Sequence, residues 1–238
     1  MRRVENPALK RRILTHLASL YKIGETREPN HLSTYVYCRT RAFLDQKQTT
    51  VEPTDDEIML FAIGYGLQDV LTPKSAKTPV YENEGIIYRP DMSFQLAPAE
   101  VEQLVELKTT RKSAKYHFMD EQIPETWLEY MMGGCHLRGT TQYDLIVLYM
   151  MGNYAPPFPQ MYSDTFFFNE PEGCEEEIER NWLELLERKR ILDNALATGQ
   201  IPTPFQHCHT WECKYCMYKL VCTTIAQAQG LPIPEEKK

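Results

Sequence analysis

The chain has 238 residues, 42% hydrophobic and 25% charged, which is enough to bury a core as one domain with additions or as two small ones, and excludes a disordered composition. Its formal charge of −7 offers no general attraction to phosphate, but a site that grips divalent cations needs carboxylates, so distribution matters more than the total. No stretch approaches the roughly 18 apolar residues of a membrane span, and the basic start has no apolar run behind it as a secretory signal would, so a soluble, cytoplasmic chain is expected.

In chain order, residues 7–22 carry apolar positions at helical spacing. A second helix is expected from His31 to Leu44, with Ser33 as its N-cap. A third follows Pro53, with Thr54, Asp55, Asp56 and Glu57 at its start, and runs to Leu71; Gly64 and Gly66 inside it suggest close packing. Strands are expected at 85–88 and 92–96, on either side of Pro90 and Asp91, and at 101–109, with 97–100 as the turn between the last two. A helix over 121–135, a buried strand over 144–151 and another strand over 161–168 come next. A long helix over 172–198 ends at Gly199, with Pro202 and Pro204 beyond. The last forty residues read as loop, cysteine cluster and tail. This order describes an α/β core over 53–170 with a small mixed sheet. The additions are a helical segment, 1–52, and a C-terminal helix with a cysteine segment, 171–238, expected to pack with 1–52.

The informative stretch is the pair of strands around Asp91 and Glu106. Glu106 and Lys108 are two apart on a strand, so their side chains share a face while Leu107 turns to the core. If the hairpin sets Asp91 opposite Glu106, two carboxylates and an ammonium meet at one spot. Such a trio suits phosphodiester hydrolysis with a divalent cation: hard oxygens hold Mg2+ or Mn2+, which polarises phosphate and lowers the pKa of bound water. A lysine beside it steadies developing negative charge as a compact point charge. The bland alternative is a solvated strand face with alternating charge. Against it stand the apolar Ile86, Ile87, Leu104, Val105 and Leu107, which make these strands buried, and the polar basic loop Thr109–Ser113 that follows. Lys108, Arg111, Lys112 and Lys115 cluster here, where phosphates would lie, whereas acidic residues crowd into 170–187.

The segment from Gly85 to Asp91, followed by Val105 to Thr110, resembles the motifs of the P-D-(D/E)-x-K nucleases, and its Glu-Leu-Lys-Thr ending is most similar to the RecB-type exonuclease branch. The resemblance implies a restriction-endonuclease-like core, Asp91 and Glu106 as metal ligands, the Leu107 carbonyl as a further ligand and Lys108 as the catalytic lysine. Gln68 stands where that branch usually offers a histidine to the metal. In its Gln-x-x-x-Tyr motif Tyr130 fits as a DNA-contacting residue, but Thr126 replaces the glutamine and Gln122 lies one turn earlier. A partly buried helix residue is the plainer account of Tyr130. Tyr116, Trp127 and Tyr130 are aromatics that would stack on single-stranded bases or else belong to the core.

Seven cysteines, an odd number, give no disulfide framework. Cys213, Cys216 and Cys222 make a C-x2-C-x5-C run that can bind metal, and Cys38 is the candidate fourth ligand. Four thiolates suit tetrahedral zinc as well as an iron–sulfur cluster, and His207, Cys208 and His209 would serve a purely local zinc site. Cys135 and Cys174 have no partners at ligand spacing and read as free thiols. Together with the core, the four cysteines resemble the iron–sulfur nucleases, a group that includes the CRISPR-associated adaptation nucleases, the AddB-type nuclease domains and related phage proteins. That resemblance implies a [4Fe–4S] cluster at Cys38, Cys213, Cys216 and Cys222, acting as a staple. In a chain-entropy model, closing a loop of about 100 residues is worth about 4.7 kcal/mol, and this loop is longer. It also implies a deoxyribonuclease acting on single-stranded ends, with an integrase or helicase partner or a homo-oligomer as possible company. Trimming of CRISPR spacer precursors and a non-catalytic iron–sulfur or zinc DNA-binding module are the alternatives.

Overall fold

A computed structural model describes residues 7–23, 29–47, 52–72, 78–94, 103–117, 123–156, 158–170, 175–206, 208–214 and 216–233. The expected turn at 97–100, Gln122, Cys174 and His207 lie outside them.

Helix α1 (Pro7–Leu20) packs on α4 (Asp55–Leu71), with Lys10 paired to Asp55 at 2.7 Å and the rings of Tyr21 and Tyr65 stacked. The start of α4 is a capping box: the Thr54 hydroxyl accepts the Glu57 N–H, and the Glu57 carboxylate accepts the Thr54 N–H. Gly64 turns toward the sheet, where a Cβ would meet the Thr109 hydroxyl at an ordinary contact distance of 3.7 Å.

The expected helix from His31 to Leu44 is in fact two, α2 (Leu32–Val36) and α3 (Arg39–Gln46). The chain extends at Tyr37, and the Cys38 N–H donates to the Glu212 carboxylate at 3.0 Å instead of to a helical carbonyl. His31, not Ser33, caps α2, its Nδ1 accepting the Ser33 N–H.

Strand β1 (Tyr81–Asn83) carries no apolar alternation, and its pattern does not announce it. It pairs with β2 (Ile86–Tyr88) through Glu84 and Gly85, both at positive φ, as a two-residue hairpin turn demands. The two form a separate ribbon rather than joining the main sheet. That sheet has four strands in the order β3 (Met92–Phe94), β4 (Gln103–Thr110), β5 (Gln142–Tyr149), β6 (Gln160–Phe167). The β4–β5 pair is parallel and the other two antiparallel, and α5 (Glu125–Arg138) makes the crossover that the parallel pair needs. This is the small mixed sheet flanked by helices expected for the fold class.

The main core lies between the sheet and helices α5 and α6 (Glu175–Thr198), with Leu32, Tyr35 and Phe43 from the N-terminal helices, Tyr143, Leu145 and Val147 from β5, and Trp182 and Leu185 from α6. Glycines let α5 come close: a Cβ at Gly133 would lie 2.8 Å from Leu32 and one at Gly134 2.8 Å from the Tyr143 ring. A bidentate pair, Arg188 to Glu129 at 2.7 and 2.8 Å, ties α6 to α5, and the same guanidinium donates to the Tyr35 and Val36 carbonyls. On the other face of the sheet, Met92, Val105 and Leu107 form a smaller cluster with Leu71. Beyond Gly199, the segment expected to be loop contains two more helices, α7 (Thr210–Lys214) and α8 (Lys219–Gln229).

Candidate active site

Met92 faces Val105 in the β3–β4 register, so one step further Asp91 falls opposite Glu106. Asp91 is anchored through both oxygens: Oδ2 accepts the Leu107 backbone N–H at 2.9 Å, and Oδ1 accepts from Gln68 Nε2 at 3.0 Å. Gln68 thus meets Asp91 with its amide nitrogen, the contact of a positioning residue. Glu106 and Lys108 share the face of the sheet turned to α5, and Lys108 Nζ donates to Glu106 Oε1 at 2.6 Å. Leu107 points the other way, into the smaller cluster, as the alternation of a strand requires.

Glu106 is only 3% exposed. Its second oxygen accepts from the Tyr143 hydroxyl at 3.3 Å, which lies 2.8 Å from the Tyr88 hydroxyl. Burial pushes the Glu106 carboxyl up, to about 8, against the pull of Lys108, and Asp91 pushes the same way. Burial works against the charged Lys108, but Glu106, Tyr37 and Asp91 outweigh it and hold the ammonium above its ordinary range. The site is therefore short of positive charge around two carboxylates even with a lysine present. Hard oxygen donors with that deficit are what a divalent cation fits.

Tyr130 is buried. Its ring lies beneath Lys108, 4.8 Å from Nζ, and edge-on to Tyr88, so its place is under the lysine and not on a surface where a strand would lie. Thr126 is also buried, its hydroxyl without a hydrogen-bond partner among the described residues. Trp127 packs against the main core. Tyr88 and Tyr143 were not singled out from the sequence, although β5 alternates with Tyr143, Leu145 and Val147 buried on one face.

The parallel strands β4 and β5 end side by side, where the Met150 N–H donates to Thr110 O at 2.9 Å. Two loops leave this edge together. One carries the exposed Arg111, Lys112 and Lys115, then a 3-10 turn over Ala114–Tyr116; the other, residues 150–159, carries the exposed Tyr154 and Phe158. They are joined by the Ala114 N–H donating to Gly152 O and the Tyr154 hydroxyl donating to Arg111 O. Tyr116 is exposed on the same edge. Beneath them His117 stacks on Tyr162, with Nε2 3.0 Å from Asp164 and Nδ1 3.4 Å from the Tyr149 hydroxyl.

A second cluster lies across the molecule's N- and C-terminal segments. Cys38, Cys213, Cys216 and Cys222 line one pocket, and so does a fifth cysteine, Cys208, together with Arg41, Glu212 and Lys219. Cys208 Sγ is 3.3 Å from Cys213 Sγ, and its hydrogen bond to Cys38 lowers that thiol to about 7, while burial pushes Cys222 up to about 12. The donor set is soft, which fits iron–sulfur or zinc. Among the described residues no three histidine, cysteine, aspartate or glutamate side chains converge on one point as the ligands of an ion would. Cys135 is outside this pocket, buried in the main core with its thiol near Gln142 O, and burial raises it to about 12.

No protein-family model and no curated protein matches the chain. Among solved structures, it is similar to SSO0001, at 16% identity and a TM-score of 0.52, over 91% of this chain and 97% of that one. It is also similar to an alkaline exonuclease (LHK-Exo) from Laribacter hongkongensis, at 11% identity and a TM-score of 0.40, over 76% of this chain and 97% of that one. At such identities the likeness is one of fold, and the first comparison shows that this chain shares the fold of SSO0001 along nearly its whole length.

Proposed function

We propose that the chain is a metal-dependent deoxyribonuclease that hydrolyses phosphodiester bonds, working as an exonuclease on single-stranded ends. The observation that carries the reading is the grouping of Asp91, Glu106 and Lys108: Asp91 accepts the N–H of Leu107, the residue between the other two, and the ammonium lies 2.6 Å from Glu106.

In this reading Asp91, Glu106 and the Leu107 carbonyl hold Mg2+ or Mn2+, and Gln68 keeps Asp91 oriented. The ion supplies Lewis-acid polarisation of the phosphate and a water of lowered pKa. Lys108, fixed between Glu106 and the Tyr130 ring, sets a positive charge where the attacked phosphate gains negative charge. Tyr143 and Tyr88 brace Glu106 so that it does not swing away from the reacting centre. Arg111, Lys112 and Lys115 hold backbone phosphates at the sheet edge.

The cysteine pocket is assigned a structural [4Fe–4S] cluster on Cys38, Cys213, Cys216 and Cys222, with zinc as the other soft occupant; a brown protein, against a colourless one carrying zinc, separates the two. The four-cysteine resemblance extends the reading to trimming of CRISPR spacer precursors beside an integrase, tested by assaying those precursors with and without that partner. A non-catalytic DNA-binding module is favoured only by Gln68 presenting nitrogen in place of a histidine ligand.

The test is degradation of end-labelled single- and double-stranded DNA with Mn2+ by the wild type, Asp91→Ala and Lys108→Ala. Both variants should lose about 100-fold or more in rate, the scale of removing one preorganised transition-state contact. Equal degradation by all three proteins would overturn the assignment.

A further inference from the structure

A four-thiolate centre needs four of the five cysteines in the pocket, which leaves one sulfur over. Cys208 is the one outside the C-x2-C-x5-C run and its N-terminal partner, and it does not stand apart. Its Sγ is 3.3 Å from Cys213 Sγ, shorter than the 3.7 Å to the His209 carbonyl. Cys208 and Cys213 are half-buried at the pocket wall, while Cys135 is buried in the main core. The chain between them is held: Cys213 belongs to α7, and the Glu212 carboxylate accepts both the His209 N–H and the Cys38 N–H. Closing the pair takes the two sulfurs from 3.3 Å to the roughly 2.05 Å of a disulfide. Arg41 and Lys219 line the same pocket and suit an anionic reagent.

We propose that Cys208 and Cys213 form a thiol–disulfide site of the metal-free protein, closed by oxidised glutathione and opened by reduction. One of the two thiols, its proton passed to water, attacks one sulfur of oxidised glutathione and expels a glutathione thiolate. The other thiol, likewise deprotonated, attacks the protein sulfur of the mixed disulfide. The S–S bond forms, the second glutathione thiolate leaves, and both thiolates take up the released protons. The protein thiols are oxidised by two electrons and one oxidised glutathione becomes two reduced ones. Disulfide formation itself is independent of what the pocket binds. Its consequence, that a closed pair withdraws Cys213 and blocks loading, rests on the reading of the pocket as a soft-metal centre.

The experiment uses the full chain, freed of metal by chelator under reductant, desalted and treated with oxidised glutathione. Intact mass should fall by two hydrogens, and digestion with trypsin and a glutamate-specific protease should join Cys208 to Cys213 across the cut at Glu212. Pairing of Cys213 with Cys216 or Cys38 instead, stable glutathione adducts alone, or the same loss of hydrogens in Cys208→Ser would overturn the site. Reduced and oxidised proteins are then offered iron with sulfide, or zinc, and bound metal is counted. Oxidised wild type should bind about tenfold less, recovering with dithiothreitol, whereas Cys208→Ser should load equally before and after glutathione. Equal loading of reduced and oxidised wild type would overturn the block. A wild type that closes the disulfide but takes up no metal in either state counts against the soft-metal reading and leaves the thiol site standing.

Discussion

The packing around the acidic pair depends on a residue with no side chain. Gly134 faces the Tyr143 and Tyr88 rings, and a Cβ there would stand 2.8 Å and 3.2 Å from them. Both rings are buried, bonded to each other, and the first is bonded to Glu106, so neither can yield without moving the carboxylate. Gly134→Ala should destabilise the protein by about 1–3 kcal/mol, as overpacking does, even though alanine is the better helix former. Urea unfolding measures this, and a variant as stable as the wild type would show that the rings have slack.

At the scale of elements, the two loops at the ends of β4 and β5 act as one unit, because Tyr154 donates to the Arg111 carbonyl and Ala114 to that of Gly152. Exposed rings beside exposed basic side chains suit a strand whose bases are free to stack. Tyr154→Ala should weaken binding of a labelled single-stranded oligonucleotide by about 1–3 kcal/mol, read by anisotropy in chelator, and affect a blunt duplex less. Equal weakening of both would point to loop disruption. The sequence makes Lys112 and Lys115 legible as a basic loop, but not their neighbours in the β5–β6 connection, 40 positions away, because only the parallel β4–β5 pairing joins the two ends. The same limit explains the other differences. Helices with clear end signals, α4 after Pro53 and Thr54 and α6 before Gly199, stand where those signals set them, and the strands beside Asp91 and Glu106 are legible as alternation. The break at Cys38 is not, since the Glu212 carboxylate that takes its N–H lies 174 positions away.

At the scale of the whole molecule, several acidic protons are locked inside. Burial raises Tyr35 from its ordinary 10.0 to about 12 and Cys135 from 9.0 to about 12, and it raises Tyr88 still further. Below about pH 8 these groups are protonated folded or unfolded and cost nothing. Between roughly pH 9 and 12 the unfolded chain gives up protons that the folded one retains, so stability falls by up to about 1.4 kcal/mol per group per pH unit. The urea midpoint should drop from pH 8 to pH 10.5, with phenolate absorbance rising together with loss of helical signal; a flat midpoint would mean that these groups are accessible to base. The N- and C-terminal segments are joined by hydrogen bonds away from the cysteine sulfurs. Glu212 accepts the Cys38 N–H, Tyr218 donates to Asp45, and Thr40 donates to the Pro202 carbonyl. A clasp fitted to a box already shut by its own hinges adds less strength than one that must draw the lid down. Emptying the thiol pocket should therefore leave a whole molecule that can be refilled, not a loose chain that must start again.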